Sequence, residues 1–139
     1  MGKLTRFGIA LDEHILKRFD AHIKIQKYSN RSEAIRDLIR SEFVRSEWGS
    51  GNKEAVCVLT LVYDHHKRGL VNKLLKIQHD QPSRILCSQH VHLGHDCCLE
   101  VIIAKGKVNN LKTFASQVKA EKGVMFASIS SATTGKDII

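Results

Sequence analysis

With 139 residues the chain has room for one ordinary domain or two small ones. Its 42% hydrophobic and 26% charged residues are the balance of a soluble globular protein, and no apolar run is long enough to span a membrane. The formal charge of +8 permits an anionic partner, but the basic residues are spread over both halves and mark out no single surface. The basic start at Met1 to Phe7 meets Asp12 and Glu13 with no signal-peptide core between, so a cytoplasmic location is expected.

The first patterned segment is Arg6-Phe7-Gly8-Ile9-Ala10-Leu11, where Phe7, Ile9 and Leu11 alternate with smaller or polar residues. That period of two predicts a half-buried strand. Asp12 can cap a following helix with the apolar stripe Ile15, Leu16, Phe19 and Ile23. A second helix is expected from Asn30-Arg31-Ser32-Glu33, with Asn30 as N-cap, Glu33 reaching back, and the stripe Ile35, Leu38, Ile39 and Phe43. One strand and two helices are too little for a stable monomeric core. A twofold dimer resolves this: the strands of two chains pair antiparallel, with Arg6, Gly8 and Ala10 facing outward on a two-stranded ribbon. Such a ribbon fits the major groove of double-stranded DNA.

Trp48-Gly49-Ser50-Gly51-Asn52 is the only Gly/Ser-rich stretch with patterned sequence on both sides. It divides the chain into a domain over 1–48, a linker over 49–53 and a domain over 54–139. The second domain reads as βαββαβ. Strands are expected near 55–63, 84–92, 98–105 and 124–130, and helices near 67–78 and 108–122, the last ending at Gly123 as a C′ residue. Leu70, Val71, Leu74 and Leu75 are expected inward on one helix, and Leu111, Phe114, Ala115 and Val118 on the other. This order is a split βαβ, ferredoxin-like arrangement, so the fold class is α+β.

Six of the eight histidines lie between His65 and His95, and three of the four cysteines between Cys87 and Cys98. In a chain this rich in apolar residues the cysteines point to metal chemistry rather than a disulfide scaffold. His90-Val91-His92 places two imidazoles on one face of a strand, and the short turn after it brings Cys98 alongside. Two nitrogens and a thiolate suit Ni(II), Cu(II), Co(II) or Zn(II). A fourth ligand has to come from elsewhere, and His79, at the end of a helix, is the nearest candidate. Cys97 and His95 are read as a spectator and a solvated turn residue, and Cys57 and Cys87 as core positions. A Cys–His nucleophile pair is the competing enzyme reading, but no oxyanion donor or orienting acid accompanies it. A DNA-binding antitoxin or a metal store fits poorly with a large, well-patterned second domain joined to a DNA-reading ribbon.

Phe7 to Leu11 followed by Asn30-Arg31-Ser32-Glu33-Ala34-Ile35-Arg36-Asp37 resembles the ribbon-helix-helix segment of DNA-binding proteins. Together with Val62-Tyr63-Asp64-His65, Gln78-His79, His90-Val91-His92 and Cys98-Leu99-Glu100, the chain resembles the nickel-responsive regulator family, NikR. The resemblance implies an ACT-like second domain and a homotetramer built as a dimer of dimers. It implies a repressor in which Ni(II) controls binding to an inverted-repeat operator, by family analogy that of a nickel-uptake gene. It further implies near-planar Ni(II) bound by His90, His92 and Cys98 of one subunit and His79 of a neighbour. Glu100 then orients a ligand, and Tyr63 and His65 stand close enough to help bind other metals; the same ligands would also take Cu, Co or Zn. On the DNA side Arg6, Gly8 and Ala10 would enter the groove, with base readout resting on Arg6 because Gly8 and Ala10 offer no side-chain hydrogen bond. Arg31 and Ser32 would hold a phosphate, and Glu33 with Asp37 would form a secondary cation site.

Overall fold

The computed structural model describes residues 2–138, so Met1 and Ile139, the outermost residues of the two expected domains, lie outside it. The chain separates into two compact units, with the division after Arg40. Among the described residues no helix is long and apolar enough to cross a membrane.

The first unit holds helix α1 (Glu13–Ile25) and the opening of α2 (Arg31–Ser50). The α1 helix begins where expected, because the Asp12 carboxylate accepts from the His14 amide at 2.8 Å. Asn30 caps α2 by accepting from the Glu33 amide at 2.9 Å. The expected reach of Glu33 back to the cap is not made; its carboxylate pairs instead with Arg36 one turn on. Arg31 grips Asp20 with two hydrogen bonds of 2.8 Å and ties the two helices together.

Residues 2–12 form no strand in the single chain. A strand exists only by pairing, and one chain offers this segment no strand to pair with. Phe7, Ile9, Ile15, Leu38 and Ile39 are accordingly exposed, and Ala34 is the buried hydrophobic residue among the described residues of the unit. The unit thus has a thin core beside much exposed apolar surface.

The second unit contains the C-terminal part of α2, then β1 (Glu54–Asp64), α3 (Leu70–Asp80), β2 (Arg84–His92), β3 (Cys97–Lys107), α4 (Val108–Ala120) and β4 (Val124–Ala132). The strands form one antiparallel sheet in the order β2-β3-β1-β4. This is the ferredoxin-like arrangement expected from the element order. Alternation along β1 buries Ala55, Cys57, Leu59, Leu61 and Tyr63 on the face shared with Cys98, Ile102 and Ala104 of β3. Leu70 and Leu74 of α3 and Val108, Leu111, Phe114 and Val118 of α4 complete that core.

Several local expectations change. The stretch over 49–53 is not a free linker: α2 runs to Ser50, and Trp48 is buried with its indole N–H donating to the Ala132 carbonyl at 2.8 Å. Gly51 closes the helix at φ 72° and accepts from the Asn109 amide, while Lys53 accepts from the Val108 amide, pinning the turn to the start of α4. On α3 the buried stripe is narrower than read, and Val71 and Leu75 are exposed. Gly123 is not the C′ residue of α4, whose cap is Glu121. It stands at φ 105° in the turn into β4, where a Cβ would come within 2.8 Å of Leu70 Cδ2. Cys57 is a core residue as expected, but Cys87 is exposed, because β2 is an edge strand and its register with β3 shifts between Ile85 and Cys87.

Candidate metal centre

The β2–β3 hairpin sets His92 opposite Cys98 and His90 opposite Glu100. On the other side of β3, β1 sets Tyr63 opposite Cys98 and Leu61 opposite Glu100. His90, His92, Cys98, Glu100 and Tyr63 therefore share one face near one end of the sheet.

Cys98 is the buried centre of the group. Its Sγ lies 3.3 Å from Nδ1 of His92 and 3.1 Å from Nδ1 of His65, which follows the end of β1. His65, His92 and Cys98 bring their ligand atoms within 4.8 Å of one another. The His90 ring stands beside that of His92, with centroids 5.1 Å apart, but its Nδ1 contacts the Tyr63 hydroxyl at 3.1 Å. In a single chain the sulfur is thus met by His65 and His92, with His90 one step away on a phenol.

Burial pushes the Cys98 thiol above its ordinary value, and neighbouring Cys97 and Glu100 add to the effect. Burial, with Glu100 and Cys98 close by, pushes the Tyr63 phenol up to about 12. Tyr63 is therefore a neutral phenol facing His90. Glu100, buried, accepts from the Gln78 side chain at 3.2 Å, which connects the last turn of α3 to the site. His79, next to Gln78, is exposed at the end of α3 and belongs to neither group of potential metal ligands found among the described residues.

A thiol with imidazole nitrogens at 3.1–3.3 Å has the chemistry of a borderline-soft metal site. Strand β2 is the edge of its sheet, so the group opens sideways rather than into the core. Burial and the neighbouring Cys97 and Glu100 disfavour the Cys98 thiolate in the free chain, and a bound cation would favour it.

In the first unit, Arg6, Gly8 and Ala10 lie on the exposed 2–12 segment, and Ser32 is exposed in the first turn of α2. Arg6 and Ser32 line one cavity of about 400 Å³ with Phe7, Ile9, Ile35 and Ile39. Arg31 is occupied by Asp20, Glu33 by Arg36, and Asp37 by the Tyr28 hydroxyl, so in this chain none of the three stands ready for a phosphate or a cation.

Residues 5–45 match the model of the ribbon-helix-helix protein, copG family, and residues 56–132 match that of the NikR C terminal nickel binding domain. The chain is 45% identical over 136 residues to a protein of Syntrophus aciditrophicus named as a nickel-responsive regulator, covering 98% of each. The chain belongs to the nickel-responsive regulator family. Relatives of the same name in Chlorobium phaeobacteroides, 48% identical over 94% of this chain and 96% of that one, and Thermococcus onnurineus, 41% identical over 99% of each, extend the match. NikR proteins are regulators rather than enzymes, which sets aside the Cys–His nucleophile reading. Among solved structures, an uncharacterized protein from Thermotoga maritima shares the fold at a TM-score of 0.51 and 11% identity, covering 57% of this chain and 98% of that one.

The structure also gathers residues that local pattern passed over. His66, His95 and Asp96 form a second group with ligand atoms within 4.8 Å of one another. The available signal was topological: with β1 and β3 antiparallel, the residues after Asp64 and those before Cys97 share one end of the sheet.

Proposed function

We propose that this NikR-family chain is a nickel-responsive transcriptional repressor of the cytoplasm, in which Ni(II) bound by the C-terminal unit controls binding of a β-ribbon to an inverted-repeat operator, with nickel-uptake genes as the regulated class. The observation that carries this reading is the buried Cys98 thiol, with His92 3.3 Å away and His90 beside it on the exposed edge strand β2. We assign His90, His92 and Cys98 as three ligands, with His79 of the partner subunit as the fourth. Support comes from the open side of the site, at a sheet edge, and from the exposed place of His79 at the end of α3. A ligand set completed between chains makes metal occupancy a property of a subunit interface in a tetramer, and so couples it to a distant binding surface.

Tyr63 and Glu100 support the ligands rather than supply them. If His90 ligates through Nε2, its Nδ1–H donates to the Tyr63 oxygen, the outer contact that holds a metal-binding imidazole in place. When bound, the metal supplies charge and a coordination geometry; folding the ligands around the buried sulfur is the work of the chain.

On the DNA side, a second copy pairs the 2–12 segments, covers Phe7, Ile9 and Ile39, and turns Arg6, Gly8 and Ala10 outward, with Arg6 as the base-reading side chain. Ser32, at the N-terminus of α2, is placed for a backbone phosphate, while Arg31 would first have to exchange Asp20 for one. Glu33 and Asp37 would serve a cation only after leaving Arg36 and Tyr28. We assign these tasks to the two units that divide after Arg40 rather than to 1–48 and 54–139, because Trp48 packs in the core of the second unit.

A second reading keeps the regulator but changes the metal. His65, His92 and Cys98 already form a three-point set within one chain, as a tetrahedral ion such as Zn(II) or Co(II) prefers, and Cu(II) binds most N/S sites more tightly than nickel. A gel shift with an inverted-repeat operator separates the outcomes. Nickel reading requires operator affinity to rise with Ni(II) and to fall with chelator; equal affinity in both conditions overturns it, and a response to Zn(II) alone moves the assignment to the second reading.

A further inference from the structure

At the end of the sheet that carries Cys98, two turns meet outside the strand pair. The register of β1 and β3 ends on Asp64 opposite Cys97, so His65-His66 and His95-Asp96 leave the sheet side by side. His66 Nε2 lies 3.4 Å from an Asp96 carboxylate oxygen and 3.1 Å from the His95 carbonyl oxygen. His95 Nδ1 lies 2.9 Å from the same Asp96 oxygen. Donors bound to one ion at about 2.0–2.2 Å stand about 3.0–3.5 Å apart, so the group has the spacing of a coordination shell.

The main chain holds that spacing. The His65 amide donates to the Asp96 carbonyl at 3.2 Å, which locks the two turns together. The Asp64 carboxylate accepts from the His66 amide at 2.9 Å, and the Leu93 amide closes the β2–β3 turn onto the Cys97 carbonyl at 2.9 Å. All three side chains are exposed, unlike that of Cys98, so an ion can arrive and leave with water completing its shell.

We propose that His66, His95 and Asp96 form a second, solvent-facing site for a divalent first-row transition ion in nitrogen and oxygen coordination, separate from the thiolate site at Cys98. Without sulfur and with all three donors exposed, the site is the weaker and faster-exchanging of the two. It is also connected to the first. The ring of His66 stands 4.1 Å from that of His65, which stands 5.7 Å from that of His92, so a row of imidazoles leads from the surface group to the Cys98 sulfur.

The test uses the full-length chain and Co(II) alone, followed by equilibrium dialysis and absorption. The expected result is a second Co(II) per chain that adds no thiolate-to-cobalt charge-transfer band. It is lost in the His66→Ala/His95→Ala variant, which keeps the thiolate-bearing ion. In Cys98→Ala the thiolate band goes, while the ion still bound broadens the His66 and His95 ring resonances. The proposal is overturned if His66→Ala/His95→Ala binds as much Co(II) as the unaltered chain, or if the unaltered chain shows no broadening of those two rings. Loss of the thiolate band in the unaltered chain would instead count against the Cys98 site and leave the surface site standing. Because His66 and His95 are exposed, unchanged far-UV circular dichroism is expected for His66→Ala/His95→Ala.

Discussion

Cys98 Sγ lies 3.1 Å from Nδ1 of His65, closer than the 3.3 Å that separates it from His92, its partner across the hairpin. The single chain thus presents a nitrogen to the sulfur that the four-ligand nickel reading leaves out, and holds His90 against Tyr63. Which of the two imidazoles joins His92 and Cys98 on a bound metal is measurable.

With Ni(II), His90→Ala is expected to weaken binding by at least the 10–100-fold seen when outer contacts of a metal ligand are removed, and to abolish the near-planar absorption spectrum. His65→Ala is expected to leave both nearly unchanged. With Zn(II) the order reverses, because a tetrahedral ion can take His65, His92 and Cys98 from one chain. Equal losses from both substitutions with both metals would mean that all three imidazoles ligate together.

The pH dependence follows from the thiol. Metal binds the thiolate, and burial raises the Cys98 pKa, so the unbound chain holds the thiol proton that binding must release. Apparent Ni(II) affinity is therefore expected to rise with pH above neutrality and to continue rising above the ordinary cysteine pKa of about 8.5. Proton release measured in unbuffered titrations checks the sign; Cys98→Ser should lose the thiolate band at every pH.

For DNA, Arg6→Ala is expected to cost about 1–3 kcal/mol of operator affinity and to relax base preference at one position in each half-site. Gly8→Ala, which adds no hydrogen-bonding group, is expected to change base preference far less. Footprinting with permuted half-sites distinguishes a base-reading arginine from one that only holds phosphate, whose loss would weaken all sequences alike.

Stability of the second unit should depend on Trp48. Its indole is buried and donates to the Ala132 carbonyl, so Trp48→Ala is expected to cost about 3–5 kcal/mol, measured as a fall in urea midpoint. An unchanged midpoint would show that the end of α2 contributes nothing to this core. A flexible linker would have predicted that indifference.

The legible parts of this molecule were those written in neighbouring residues. Alternation along 55–63 and the βαββαβ order specify the sheet, since side chains on a strand change face at every step and short turns force antiparallel neighbours. His90, His92 and Cys98 could be brought together on paper because a single hairpin joins them. The caps at Asp12 and Asn30 are equally local. Other features depend on pairings across long stretches of chain. His65 reaches Cys98, and His66 reaches Asp96, because β1 lies antiparallel to β3, and no window of sequence contains both partners. Cys87 is exposed because β2 became an edge, and the Gly/Ser-rich stretch is pinned because Trp48 and Gly51 found partners on β4 and α4. Hydrophobic period and turn chemistry act over a few residues, whereas edges, burial and converging side chains are settled only when distant strands share a sheet.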